Sequence, residues 1–165
     1  MPQAKEEQSI ELDDNQAEQK QLILFVDDNK DIITYAQSCL APVYRVITGF
    51  NGKEALDKAL KHVPDLIITD VMMPEMDGIE FTRKIKTSEI TRHIPVIILS
   101  ARTATESQQE GFVEGATDYI TKPFSMSLLE LKIKNILADR SIIQSKYKKR
   151  AFVSIDRNNL RLGGR

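Results

Sequence analysis

The chain has 165 residues, 41% apolar and 28% charged, with a formal net charge of −1 and a single cysteine, Cys39. That size suits one globular domain with a proper core plus tails, and leaves no surplus for a second large domain. The near-balanced charge argues against a polyanion binder, the lack of a long apolar run against a membrane span, and the lone cysteine against a disulfide scaffold, so a soluble cytoplasmic protein is expected.

Residues 1–20 carry six acids against Lys5 and Lys20, the composition of a solvated acidic leader. The first predicted strand is Leu22-Ile23-Leu24-Phe25-Val26, a continuous apolar run of the kind buried on both faces of a parallel sheet. It is followed at once by Asp27 and Asp28, which alone would read as acids capping the first helix. Tyr44-Arg45-Val46-Ile47 is a weaker second strand, and Leu66-Ile67-Ile68 a third that delivers Asp70 into a turn. Val96-Ile97-Ile98-Leu99 ends at Ser100, and Asp118-Tyr119-Ile120-Thr121 ends at Lys122-Pro123.

The intervening segments have helical spacing, and several begin with a small polar residue followed three positions later by glutamate. These pairs are Asn51 and Glu54, Asp77 and Glu80, Thr103 and Glu106, and Ser127 and Glu130. Gly49, Pro64, Gly115 and Pro123 punctuate the remaining boundaries. A domain over residues 21–138 results, with five strands alternating with helices and a final helix near 125–138. Residues 139–165 follow as a basic tail, in which eight cationic residues face two acids. Its run Lys146-Tyr147-Lys148-Lys149-Arg150 invites a nucleic-acid reading, but a solvated helix end or linker is favoured over it.

Alternating strands and helices imply right-handed crossovers and a doubly wound α/β sheet, in which ligands bind outside the carboxyl ends of the strands. Asp27, Asp28, Asp70, Ser100 and Lys122 all fall at that edge. Three converging carboxylates raise one another's pKa unless a cation joins them. An all-oxygen donor set without a calcium-loop pattern favours magnesium, and no His or Cys pair supports zinc. His62 and His93 lie away from the edge and read as solvated. A lysine and a hydroxyl beside the acids suit a phosphoryl group. No Gly-rich nucleotide loop is present, so covalent attachment to an aspartate is favoured, with Asp70 as the candidate nucleophile.

Together, Val26-Asp27-Asp28-Asn29, Asp70-Val71-Met72-Met73-Pro74 with Asp77-Gly78, Ile98-Leu99-Ser100-Ala101 and Asp118-Tyr119-Ile120-Thr121-Lys122-Pro123-Phe124 closely resemble the receiver domain of two-component response regulators. The resemblance covers roughly residues 21–138 and implies a flavodoxin-like (βα)5 fold with a five-stranded parallel sheet in the order 2-1-3-4-5. It implies that Asp70 accepts a phosphoryl group from a phosphohistidine on a sensor kinase. Asp28 would bind Mg2+ directly, Asp27 largely through water, and the backbone carbonyl of Met72 would complete the protein's share. Lys122 would pair with phosphoryl oxygens, with its bond to Pro123 cis. Ser100 would donate its hydroxyl to the phosphoryl group, and Tyr119 would turn inward in response.

The resemblance further implies a switch without separate enzymatic turnover beyond slow self-dephosphorylation. The face formed by the fourth helix, fifth strand and fifth helix would pair with a second copy or an output domain. Ser100 stands where threonine is common in this family, and Met72 and Arg102 occupy positions that border the phosphoryl group. The tails suggest a piece of a hybrid sensor kinase, a parent chain that can be membrane-anchored, and an AraC-like DNA-binding output is an alternative continuation beyond the basic tail. Direct contact with nucleic acid or membrane is not expected of residues 1–165. A flavin-binding electron carrier of the same topology lacks its Ser/Thr-rich phosphate loop here. An aspartyl phosphatase or phosphomutase would need an acid two residues after the nucleophile, where Met72 stands.

Overall fold

The structure is a computed structural model that describes residues 20–101 and 115–140. The chain divides into two units, Met1–Leu129 and Glu130–Arg165. The first holds five strands, β1 (Leu22–Val26), β2 (Arg45–Gly49), β3 (Leu66–Asp70), β4 (Val96–Ser100) and β5 (Asp118–Thr121). It also holds the helices α1 (Lys30–Leu40), α2 (Gly52–His62) and α3 (Gly78–Thr87). A further helix over 126–140 crosses the boundary into the second unit. All strand pairs are parallel, and the order is β2-β1-β3-β4-β5, as the resemblance implies.

Every residue of β1, β3 and β4 is buried, which explains why their sequences run apolar without alternation. On one face Leu24, Val26, Ile67, Val96 and Ile98 join Ala55 and Ala59 of α2 and Phe81 and Ile85 of α3 in a single core cluster. Residues of opposite parity, such as Ile23, Phe25, Leu66, Ile68, Ile97 and Leu99, are equally buried. α1 packs on β1 and β2 through a buried stripe of Ile33, Ala36 and Leu40. Burial of each large aliphatic side chain contributes roughly 1.5–3 kcal/mol, so the central strands hold the carboxyl edge in place.

Caps set where the helices begin. The Asn51 side chain accepts from the Glu54 amide at 2.8 Å, and Asp77 does the same for Glu80 at 2.8 Å. Glu54 reaches back to the amide of Phe50 at 3.2 Å, which closes the expected box one residue before the cap. α1 is capped by Asn29, whose side chain accepts from Asp31, so Asp27 and Asp28 do not cap it.

Two details of element ends and one of burial differ from expectation. β2 runs to Gly49 because Thr48 and Gly49 pair with Phe25 and Val26. The last helix begins at 126, inside the expected span, but the Ser125 hydroxyl accepts from the Leu128 amide at 3.1 Å and takes the capping role expected of Ser127. Cys39 is half-buried on α1 and not a core residue. The helix expected after Thr103, the acidic leader through residue 19 and the basic tail from residue 141 lie outside the described residues.

Loss of the Asn51 cap leaves an amide at the head of α2 without its acceptor. Asn51→Ala is expected to lower the unfolding free energy in urea by about 1 kcal/mol without changing the slope.

Candidate functional site

Parallel register brings the acids together. β1 and β3 are neighbours with Val26 opposite Thr69, so the residues that follow, Asp27 and Asp70, leave the sheet side by side. The Asp27 amide donates to the Gly49 carbonyl at 3.1 Å and extends the β1–β2 ladder by one step. The three carboxylates of Asp27, Asp28 and Asp70 each place an oxygen within 4.8 Å of the others. Asp27 and Asp70 are buried, at 1% and 8% exposure, whereas Asp28 is exposed.

Lys122 reaches this cluster from the far side of the sheet. In β4 and β5, Ser100 stands opposite Thr121, and the Lys122 amide donates to the Ser100 carbonyl at 2.7 Å. The peptide bond between Lys122 and Pro123 is cis, as expected. From that anchor the ammonium lies 3.2 Å from Asp70 Oδ1 and 3.3 Å from Asp27 Oδ2. Asp27 Oδ1 accepts from the Asn29 amide and Asp70 Oδ1 from the Val71 amide, each at 2.9 Å.

Among the described residues one ammonium, that of Lys122, stands beside the three carboxylates, and the titration of Asp27 reflects that shortage. Burial raises the Asp27 pKa above its ordinary 3.8 and the neighbouring Asp70 charge adds to it, while the Asn29 amide and Lys122 only partly offset them. For Lys122, burial favours the neutral amine, but Asp70 and Asp27 outweigh it and raise the pKa above its ordinary 10.5. The lysine therefore stays cationic at neutral pH. An acidic, all-oxygen cluster with uncompensated charge fits a hard divalent cation such as Mg2+.

The turn after Asp70 is held by close backbone contacts. The Gly78 amide donates to the Val71 carbonyl at 2.8 Å, and a Cβ at Gly78 would stand 1.9 Å from the Asp70 carbonyl oxygen. Only glycine permits α3 to start so near β3. Glu75 completes the turn in the left-handed region, at φ 66°. Met72 is 74% exposed beside the acids.

Ser100 is buried at 4% exposure on the same edge. Tyr119 sits on the edge strand β5, packs partly buried against the core cluster, and has its hydroxyl oxygen sheltered from solvent. Arg102 lies outside the described residues, and His62 and His93 are exposed. Two contributors had no distinguishing signal in the sequence. Asn29 was legible only within the motif around Asp27, yet its amide holds that carboxylate, and Gly49 read as simple punctuation although its carbonyl anchors the Asp27 backbone.

Residues 23–134 match the family described as the response regulator receiver domain, and the chain belongs to it. The histidine kinase P4 of Formosa agariphila is 41% identical over 129 residues, which are 78% of this chain and 9% of that protein. Among solved structures, chemotaxis protein CheY4 of Vibrio cholerae is 35% identical with a TM-score of 0.67, over 71% of this chain and 98% of that one. The receiver domain of sensor histidine kinase PA1611 from Pseudomonas aeruginosa is 30% identical with a TM-score of 0.65, over 72% of this chain and 98% of that one. Its structure has a magnesium ion coordinated in the active-site cleft. The chain spans far less than two thirds of the curated relative's length. It is thus a receiver domain of two-component signalling, a class that interacts with histidine kinase phosphodonors and binds Mg2+ at an acidic pocket. The family match, over residues 23–134, gives no support to the alternative AraC-like output.

Because the folded pKa of Asp27 is raised, the native state retains a proton that the unfolded chain has lost just above pH 3.8, and stability falls as pH rises through that window. Asp27→Asn, which mimics the protonated acid, is expected to unfold at higher urea than wild type at pH 7 in chelator. The advantage should vanish at pH 3, where Asp27 is protonated in both states.

Proposed function

We propose that Asp70 is the phosphoacceptor of a phosphorelay. The observation that carries this reading is the Lys122 ammonium, 3.2 Å from Asp70 and 3.3 Å from Asp27, at the rim of a cluster of three acids. Among the described residues, both the lysine and the Val71 amide engage Oδ1 of Asp70, which leaves Oδ2 to attack. A new O–P bond forms as the N–P bond of the donor phosphohistidine breaks, and its electron pair stays with the departing imidazole, which takes up a proton.

Asp27, Asp28, Asp70 and the backbone carbonyl of Met72 would hold Mg2+, which when bound neutralises the excess carboxylate charge and the incoming phosphoryl oxygens. Lys122 balances charge on the phosphoryl group and keeps the unphosphorylated acids paired. Ser100 ends β4 beside the Lys122 anchor, a position suited to donating its hydroxyl to the new oxygens. Phosphorylation replaces one negative charge with about two and adds three strong acceptors. The Ser100 end of β4 is drawn toward them, and Tyr119 is the aromatic that follows. Exposed Met72 shields the acyl phosphate from water and tunes its lifetime.

The domain spans residues 21–138, between an acidic leader and a basic tail. The chain has no catalytic turnover of its own beyond slow loss of the phosphoryl group, and it works in the cytoplasm as a segment of a hybrid sensor kinase. The likeness to histidine kinase P4 supports that parentage. No helix among the described residues is long and apolar enough to cross a membrane. Output is by pairing with a second copy, through the face that the resemblance implies. The fourth helix falls outside the described residues.

Acetyl phosphate with Mg2+ is expected to add one phosphoryl group to the wild type by intact mass and none to Asp70→Asn. Addition that survives in Asp70→Asn would overturn the assignment. Lys122→Ala is expected to slow the transfer about 100-fold under the same conditions. Sedimentation of the beryllofluoride-treated protein at micromolar concentration should show a doubled mass, and an unchanged mass would remove the pairing.

A further inference from the structure

The connection between β2 and α2, residues Gly49 to Gly52, contributes no acid to the cluster yet touches both acid-bearing loops. On one side the Gly49 carbonyl accepts from the Asp27 amide at 3.1 Å. The Phe50 ring lies under the ammonium of Lys30, 6.0 Å from its centroid, next to the loop that carries Asp28. On the other side the Gly52 amide donates to the Met76 carbonyl at 3.2 Å, in the loop that follows Asp70. The connection is itself fixed at both ends of its turn, since Glu54 accepts from Phe50 and Asn51 accepts from Glu54.

We infer that Gly52 is a positioning residue, which acts through Met76 to set how closely the loop over residues 71–77 approaches the acids. A Cβ at Gly52 would stand 2.6 Å from the Met76 carbonyl oxygen and 2.9 Å from its Cγ. The nearest obstacle is backbone, so it cannot swing aside as a flexible side-chain tip would. Gly52 does not occupy the left-handed region, so its requirement is one of space and not of backbone conformation. Met76 is only 9% exposed and belongs to the core cluster, which prevents the loop from yielding inward. At its far end the same loop is clamped by Gly78 against Asp70 and Val71. A loop fixed at Met76 and Gly78 has a defined position at Met72, two residues beyond Asp70. Residues that support metal ligands from outside the coordination sphere typically alter metal affinity about 10–100-fold.

The inference rests on the reading that the acid cluster binds Mg2+, and the test separates the two. Uniformly 15N-labelled wild type, Gly52→Ala and the α2 control Ala59→Gly are titrated with MgCl2 while backbone amide shifts are followed. Gly52→Ala is expected to bind Mg2+ about tenfold more weakly than wild type and, before any Mg2+ is added, to show displaced amide shifts from Val71 to Gly78. Ala59→Gly weakens the same helix away from Met76 and should keep the wild-type affinity. Equal affinities for wild type and Gly52→Ala, or an equal loss in Ala59→Gly, would overturn the inference. Failure of wild type to bind Mg2+ would instead overturn the reading beneath it. Should Gly52→Ala not fold, Met76→Ala, which empties the space beneath Gly52, is expected to weaken Mg2+ binding several-fold, and wild-type affinity there would equally overturn the inference.

Discussion

The arrangement depends on an imbalance of charge among the described residues, with one lysine set against three carboxylates at the end of a buried sheet. Lys122 is close enough to pair with Asp27 and Asp70 at once, and both pull its pKa upward despite burial. Even so, Asp27 remains harder to ionise than in water, because desolvation and the Asp70 charge outweigh the help it receives. A core built only for stability would not hold an acid in that condition. Uncompensated charge of this kind suits a hard cation, and on the proposed reading it leaves the lysine available to a phosphoryl group after transfer.

The sheet makes the imbalance possible by supplying rigid positions from strands far apart in sequence. Asp27 follows β1, Asp70 ends β3 and Lys122 follows β5, and parallel register brings their ends to one edge. The lysine spans the intervening strands because its own backbone is tied to Ser100 at the end of β4. Close backbone approach does the remaining work, at Gly78 against Asp70 and at Gly52 against Met76. These contacts turn a flexible loop into a fixed wall of the site.

Much of this was legible in the sequence because the signals were chemical and local. Continuous apolar runs leading to Asp27, Asp70 and Ser100 marked the buried strands, and with Lys122 after the weaker fifth strand they marked the edge where the acids and the lysine meet, while Asn51 and Asp77 act as the caps their spacing implied. Ser127 misled because two serines flank the start of the last helix, and only the backbone geometry selects Ser125. Tyr44 misled because β2 is partly exposed, so its apolar pattern is weak and its end is decided by pairing with β1. Gly52 was invisible for a different reason. A missing side chain carries no chemistry, and the need for it arises from Met76, 24 residues away.

The most direct measurement is the urea unfolding midpoint of wild type and Asp28→Asn at pH 7 as Mg2+ is raised from chelator to millimolar concentrations. Asp28 is exposed, so its replacement should change little in chelator. If the acids form a cation receptor completed by Asp28, the wild-type midpoint is expected to climb with the logarithm of Mg2+ concentration, as for any ligand bound only by the native state, and the variant should stay nearly flat. A wild-type midpoint indifferent to Mg2+, or an equal climb in both proteins, would contradict the charge imbalance as the basis of the site.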